Sequence, residues 1–333
     1  MHCPTNAEKS VKFILEPAKM TQDQLEPVRP WHVLHREKHV VYLCGKGTQH
    51  SKAPLLLNTM FAAKGLDWEY RLLDTDDAEA FGKMLASGNM IGCAVTMPNK
   101  VTFSSLVDQL TEDARVVGSI NTVFARKNSG TGQVVYVGAN TDIIGVRDSF
   151  LFNETARTKC QELRPGLVYG AGGACRAAIY ALHTYLGCPR IYVINRFAHE
   201  VETVAKSMKE NGFAGEIVHL STPQEARRVE LPKFIVLAVP NVKPQTAEEK
   251  LAKATLDVFI ESGKGSVLEM CYHPIIRTLL YEEFEKQGWN VIPGWEAVIY
   301  QGAAQFGYWT GIPMEETPVE HASQTLRKNL ENV

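Results

Sequence analysis

Four short stretches of this chain carry polar side chains of the kinds that do acid–base and recognition chemistry. "HSKAP" offers the hydroxyl of Ser51, "GCAVTMPNK" the hydroxyl of Thr96 and the amine of Lys100, "SINT" the amide of Asn121, and "GANTDIIG" the carboxyl of Asp142. An amine beside a carboxylate can take a proton from an alcohol or steady the charge that develops on its oxygen. Each group also has a plain structural use. Ser51 could cap a helix starting near Pro54, and Lys100 could be a solvated lysine at a helix start. Asn121 could satisfy a turn, and Asn140, Thr141 or Asp142 could cap the helix that begins "IIGVRDSF". What decides is whether the fold brings these stations together.

A fifth stretch suggests a second chemistry. "LVYGAGGACRAA" sets Gly170, Gly172 and Gly173 between an apolar run and a helical pattern. Glycines allow a tight turn and close backbone approach, and the free N–H groups of a helix start attract anions, which suits a pyrophosphate. The third glycine of the usual dinucleotide pattern is Cys175, still small enough for helix–strand packing. A bare strand–turn–helix would look the same. The next apolar run, "RIYVIN", ends at Asn195 and is followed by Arg196. A Rossmann domain reads the adenine ribose there: an acidic residue binds the 2′-hydroxyl, an arginine accommodates a 2′-phosphate. Arg196 makes such a contact or is simply solvated.

The elements that would position these residues alternate. Strand patterns at "HVVYLCG", "WEYRLL", "MIGCAVT", "SINTVFA" and "QVVYVGA" are interleaved with helical ones at "APLLLNTMFAAKG" and "DAEAFGKMLASG" and with helical stretches around 99–117. After the polar segment "FNETARTKCQELRPG" a second series begins, with strands at "LVYGAGG", "RIYVIN", "FIVLAV", "GSVLEMC" and near "WNVIP". Its last helix runs from about Trp295 to Trp309 and could fold back on the first series. Strands alternating with helices imply α/β layers on a mostly parallel sheet. Residues 1–38, mixed and charged, read as a mobile or loosely docked extension.

Composition narrows the classes. A chain of 333 residues is long enough for two domains. A net charge of −2 argues against a nucleic-acid partner. No apolar run approaches the ~20 residues of a membrane span, and the first residues lack the apolar core of a secretory signal. The seven cysteines are odd in number and without C-x-x-C spacing, so neither a disulfide framework nor a metal site is expected, and a reducing, cytoplasmic setting is.

Taken together, "HSKAP", "GCAVTMPNK", "GSINTV", "GANTDIIG", "GAGGA", "NR", "CYHPIIRTLL" and "GWEAVIYQGAAQF" stand in the order and spacing of one family. From about Val40 to Gly311 the chain resembles the shikimate/quinate dehydrogenases, and its length and extension look most like the fungal type. The resemblance implies an N-terminal α/β substrate domain (39–141 plus 294–333) and a Rossmann NAD(P)-binding domain (142–293), with a C-terminal helix returning to the first. It implies a catalytic pair, Lys100 and Asp142, and substrate contacts at Ser51, Thr96, Asn121, Tyr272 and Gln301. It also implies cofactor contacts at Gly170, Gly172, Gly173, Ala174, Asn195, Arg196, Val239 and Gly294, and no metal. The activity implied is reversible NAD(P)-dependent oxidation of a ring hydroxyl of quinate or shikimate, by a monomer or homodimer. Pairing with a carboxylate favours the ammonium form of Lys100, and burial the free amine. In the first case Lys100 steadies an alkoxide while Asp142 or water takes the proton; in the second Lys100 is the base.

Three departures bear on that reading. The family's second hydroxyl near the substrate carboxylate is Ala53 here, and its frequent "NAT" loop is "AVP" at Ala238–Pro240. Four residues after Arg196, where NADP-using members often carry a base, stands Glu200, which favours NAD as cofactor while leaving NADP usable. Two other readings fit the same departures: a non-catalytic sensor of the metabolite, and a dehydrogenase of another hydroxylated ring acid such as aminoshikimate.

Overall fold

The computed structural model describes residues 25–153, 164–273 and 275–331. In chain order the first series is β1 (Leu25–Glu26), α1 (Trp31–Leu34), β2 (His39–Gly45), α2 (Ala53–Ala63), β3 (Trp68–Asp74), α3 (Ala78–Ala86), β4 (Gly92–Val95), β5 (Gln109–Leu110), α4 (Glu112–Val117), β6 (Thr122–Asn128) and β7 (Val134–Ala139). Its strands lie in the order β3-β2-β4-β6-β7-β5, with β1 also paired to β6. In β4 every residue is buried, the pattern of a strand covered on both faces.

The second series begins with α5 (Asp142–Asn153) and continues through β8 (Gly166–Tyr169), α6 (Gly173–Tyr180), β9 (Arg190–Ile194), α7 (Ala198–Glu210), β10 (Glu216–His219), α8 (Pro223–Ala226), β11 (Phe234–Leu237), α9 (Ala247–Ser262), β12 (Ser266–Glu269), α10 (Leu279–Lys286) and β13 (Asn290–Pro293). The sheet order is β10-β9-β8-β11-β12-β13, and every pairing is parallel. This is the doubly wound arrangement, with the strand order reversing beside β8. Two helices close the chain: α11 (Gly294–Thr310) and α12 (Val319–Glu331).

Four sequence expectations need correction. Residues 25–38 are docked rather than loose: β1 pairs with β6, Leu34 is 2% exposed, and the Trp68 indole donates to the Leu34 carbonyl at 3.3 Å. Residues 1–24 lie outside the described region. The first sheet is mixed rather than mostly parallel, because β6 runs antiparallel to both β4 and β7. Only a short connection joins β6 to β7, and a hairpin forces antiparallel pairing. Within 99–117 lies the short strand β5, parallel to β7. Lastly, β10 and α12 were not legible. β10 is a partly exposed edge strand without a clean apolar pattern. In α12 the apolar face is thin: Ala322, Leu326 and Leu330, at helical spacing, are buried in the first domain's core.

Helix α11 does return to the first domain. Two glycines let it approach closely. A Cβ at Gly145 of α5 would lie 2.8 Å from the Ala297 carbonyl, and one at Gly302 would lie 2.6 Å from Leu56 of α2. A second junction joins the halves. Asp113 of α4 accepts from the Tyr180 hydroxyl at 2.6 Å and the Tyr185 hydroxyl at 2.8 Å. Residues Ala181–Tyr185 form a π-helical turn, whose wider winding brings Tyr185 onto the side of the helix that carries Tyr180.

Candidate active site

The loops after the C-terminal ends of β2 and β4 build one wall. Lys46 N–H donates to the Met97 carbonyl at 2.9 Å, tying the two loops together. Gly45 is required here, since a Cβ would lie 2.7 Å from the Met97 carbonyl. The Lys100 carbonyl accepts from Ile120 N–H at 2.8 Å, which fixes the turn carrying that lysine against the entry to β6. Asn99, 2% exposed, donates to the Thr75 carbonyl at 2.8 Å and anchors the turn from its other side.

On this scaffold Lys100 Nζ donates to Asp142 Oδ2. The side chains are 14% and 6% exposed, so the pair is largely shielded from water. Asp142 Oδ1 accepts from Asn121 Nδ2 at 2.9 Å, which also donates to Gln301 Oε1 at 3.0 Å. Asn121 Oδ1 accepts from Thr141 N–H at 2.7 Å, from the Thr141 hydroxyl at 3.1 Å and from the Thr122 hydroxyl at 2.8 Å. A backbone N–H can only donate, so the orientation of this amide is determined. Asn121 thus orients Asp142 and Gln301 here, and its own hydrogen-bonding capacity is taken up inside the protein.

Helix α11 supplies a ladder that the sequence reading missed beyond its first rung. Gln301, Gln305 and Trp309 are spaced four apart on one face. After the Gln301 contact, Gln305 donates to the Asn121 carbonyl at 3.2 Å and to the Thr122 hydroxyl at 3.0 Å, and the Trp309 indole donates to the Val123 carbonyl at 2.9 Å. The signal was present as polar tips at helical spacing.

The Ser51 segment and the loop carrying Tyr272 come together from opposite halves. Ser51 Oγ accepts from Ala53 N–H at 3.3 Å at the start of α2. Tyr272, in the loop after β12, reaches the same segment: burial pushes its phenol up, opposed by a hydrogen bond at the Lys52 backbone. Beside that contact, the rings of His50, two residues before Lys52, and His273, one after Tyr272, stack at 3.9 Å between centroids. Thr96 is half-buried at the end of β4 and accepts from Asn99 N–H at 2.9 Å through its carbonyl.

The glycine-rich turn lies after β8. Gly170 has φ +106°, and a Cβ there would lie 2.8 Å from both the Ala238 carbonyl and Val239 Cγ1, so the protein's own packing demands glycine. Gly172 and Gly173 differ. Neither has a positive φ, and a Cβ at either would meet nothing within 4 Å. The fold does not need these glycines; a ligand approaching the backbone at the start of α6, with Ala174 in its first turn, would. The residues present therefore fit a dinucleotide. Gly294 has a packing reason instead, since a Cβ would lie 2.5 Å from the Met270 carbonyl. At the end of β9, Asn195 Nδ2 donates to Glu200 Oε2 at 2.7 Å, and Arg196 donates to Glu249 Oε1 at 2.7 Å.

One buried carboxyl was not anticipated. Glu269 ends β12 at 1% exposure, and burial raises it from 4.5 to about 7, opposed by bonds from Cys271 N–H and the Thr278 hydroxyl.

Fold and site define a class: a two-domain α/β oxidoreductase with a Rossmann-type NAD(P)-binding half. Residues 43–123 match the shikimate dehydrogenase substrate binding domain. Over 296 residues the chain is 37% identical to a quinate dehydrogenase of Emericella nidulans, covering 84% of this chain and 90% of that one. It is 36% identical to part of a pentafunctional AROM polypeptide of Zygosaccharomyces rouxii, of which it spans 17%. Among solved structures, the dehydroquinate dehydratase and shikimate dehydrogenase of S. pombe AroM superposes with TM-score 0.69 at 28% identity, covering 87% of this chain and 53% of that one. The quinate dehydrogenase of Corynebacterium glutamicum in complex with NAD shares the fold, with TM-score 0.71 at 22% identity over 88% of this chain and all of the other. The chain belongs to the shikimate/quinate dehydrogenase family.

Proposed function

We propose that the protein is a quinate/shikimate dehydrogenase, oxidising a ring hydroxyl of quinate or shikimate reversibly to 3-dehydroquinate or 3-dehydroshikimate. The observation that carries this reading is the shielded Lys100–Asp142 pair, held by Asn121 and Gln301. Both oxygens of Asp142 are engaged, so Lys100 is the group that meets the reacting hydroxyl; as the neutral amine it takes the hydroxyl proton and becomes the ammonium. Asp142 aims the amine and balances its charge. Gln301 turns its amide oxygen to Asn121, leaving Nε2 to a ring hydroxyl. Ser51 and Tyr272 receive the substrate carboxylate end, with Thr96 on the same wall as Ser51.

NAD(P), when bound, accepts the hydride at its nicotinamide ring. Gly170, Gly172, Gly173 and Ala174 would hold its pyrophosphate, Asn195 and Arg196 its adenosine, and Val239 and Gly294 the nicotinamide end. NAD is the preferred form in this reading. Glu200 sits on Asn195 and Glu249 on Arg196, so two carboxylates accompany the residues that would hold the adenosine and would repel a 2′-phosphate there. The test is a matrix of steady-state rates for quinate and shikimate, each with NAD and NADP. Turnover of quinate or shikimate with NAD faster than with NADP is expected. No turnover in any cell of the matrix overturns the activity, and a tenfold preference for NADP overturns the cofactor assignment.

A further inference from the structure

Glu269 is a buried carboxyl to which the proposed reaction assigns no task. Its surroundings give it one. Oε1 accepts from Cys271 N–H at 2.9 Å, and Oε2 accepts from the Thr278 hydroxyl at 2.8 Å. A single carboxyl therefore ties both ends of the loop that joins β12 to α10. Thr278 is itself fixed, because its Oγ1 accepts from Tyr281 N–H at 3.0 Å as the cap of α10. Glu269 is 1% exposed and Thr278 also 1%, so water cannot take over either bond.

The tied loop is the part of the second domain that reaches the first. Tyr272 follows Cys271 directly and meets the Lys52 backbone, and His273 stacks on His50. Both contacts fall on the segment that carries Ser51. Between these ties Ile275 is 53% exposed, while Ile276 packs on the first domain's core and Arg277 donates to Glu285 of α10. The bond one residue before Tyr272 thus fixes the backbone from which its side chain reaches the first domain.

We propose that Glu269 is a positioning residue for substrate binding, acting through the loop to set Tyr272 against the Ser51 segment. The inference rests on the reading that Tyr272 lines the substrate site. It predicts a split between binding and chemistry, because Lys100 and Asp142 are held by other elements. The loop ends, not the glycine-rich turn, are what the carboxyl holds, so cofactor affinity should be spared.

The experiment compares full-length wild type with Glu269→Ala, Thr278→Val, Thr278→Ser and Tyr272→Phe, reading kcat, KM for quinate and shikimate, and the Kd of NAD by calorimetry. Glu269→Ala should raise the ring-acid KM about tenfold, with kcat within about threefold and NAD Kd within about twofold, the size of a lost buried charge-assisted bond. If Glu269→Ala does not fold, Thr278→Val decides, since it keeps the carboxyl and its Cys271 bond; its KM should rise and Thr278→Ser should restore it. Adding Tyr272→Phe to the raised-KM variant should cost less than in wild type, because the phenol is already displaced. Unchanged KM in folded Glu269→Ala, or in Thr278→Val where the alanine variant does not fold, overturns the inference. So does an equal loss of kcat and NAD affinity. Wild-type inactivity on both ring acids would instead strike the functional reading, and it is read before any variant.

Discussion

Lys100 and Asp142 form an ion pair whose side chains are 14% and 6% exposed. Shielded charges are costly unless geometry and further hydrogen bonds compensate, and here Asn121 supplies the further bond. Lys100→Ala and Asp142→Asn should each lower kcat by roughly 10²-fold or more, the scale of a positioned acid–base group. NAD Kd should stay near its original value in both. Steady-state kinetics and calorimetry check this, and near-normal kcat in Lys100→Ala would remove that residue from the chemistry. Glu269 gives a residue-scale prediction of another kind. Its folded value, about 7, stands above the ordinary 4.5, so between the two the folded protein keeps a proton that the unfolded chain has released. Stability from this group is full at low pH and falls as pH rises through that window, by on the order of 3 kcal/mol. Glu269→Gln, neutral at every pH, lacks this loss. Its Tm relative to wild type should therefore climb between about pH 5 and about pH 8. A difference in Tm that does not change with pH would contradict the assignment.

At the scale of elements, the site depends on how closely α11 lies on α5 and α2. Gly145 faces the Ala297 carbonyl, a backbone atom that cannot swing aside. Gly145→Ala should push α11 outward, costing about 1–3 kcal/mol as overpacking does, and should raise the ring-acid KM by moving Gln301. Gly82 of α3 makes the contrast. A Cβ there meets nothing within 4 Å, so Gly82→Ala should stabilise by about 0.5–1 kcal/mol through helix propensity and leave KM alone. Thermal melts and kinetics on the two variants separate the effects. Equal behaviour of the two would show that helix contact does not set the site.

At the scale of the molecule, the site is shared between two sheets, so their relative placement matters. Asp113 receives two tyrosine hydroxyls across the junction, and Arg115 and Arg176 of opposite halves reach the Asn211 and Val117 carbonyls at 2.9 and 3.3 Å. Asp113→Ala strands the two hydroxyls and should lower Tm while raising KM for both substrate and cofactor. Lys253→Ala breaks pairs with Asp257 and Glu283 that lie wholly within the second half, and should leave both KM values unchanged. Kinetics on the two variants test this, and an Asp113→Ala enzyme with unaltered KM would show that the junction does not govern the site.

By itself the sequence determined what is local. Alternating apolar runs specified the two α/β series, the glycine-rich turn marked the start of α6, and the polar stations appeared as separate short motifs. Each depends on periodicity or turn chemistry within a few residues. Tertiary structure decided how the stations combine. Lys100 meets Asp142 across 42 residues, and Asn121 meets Gln301 across 180. No local pattern encodes such pairings. Only the fold revealed that Asn121 spends its amide on Asp142 and Gln301, that Gln305 and Trp309 continue the ladder, and that Glu200 and Glu249 are drawn onto Asn195 and Arg196. The direction of β6 and the docking of residues 25–38 were settled the same way, because pairing partners and buried faces are set by contacts between distant segments.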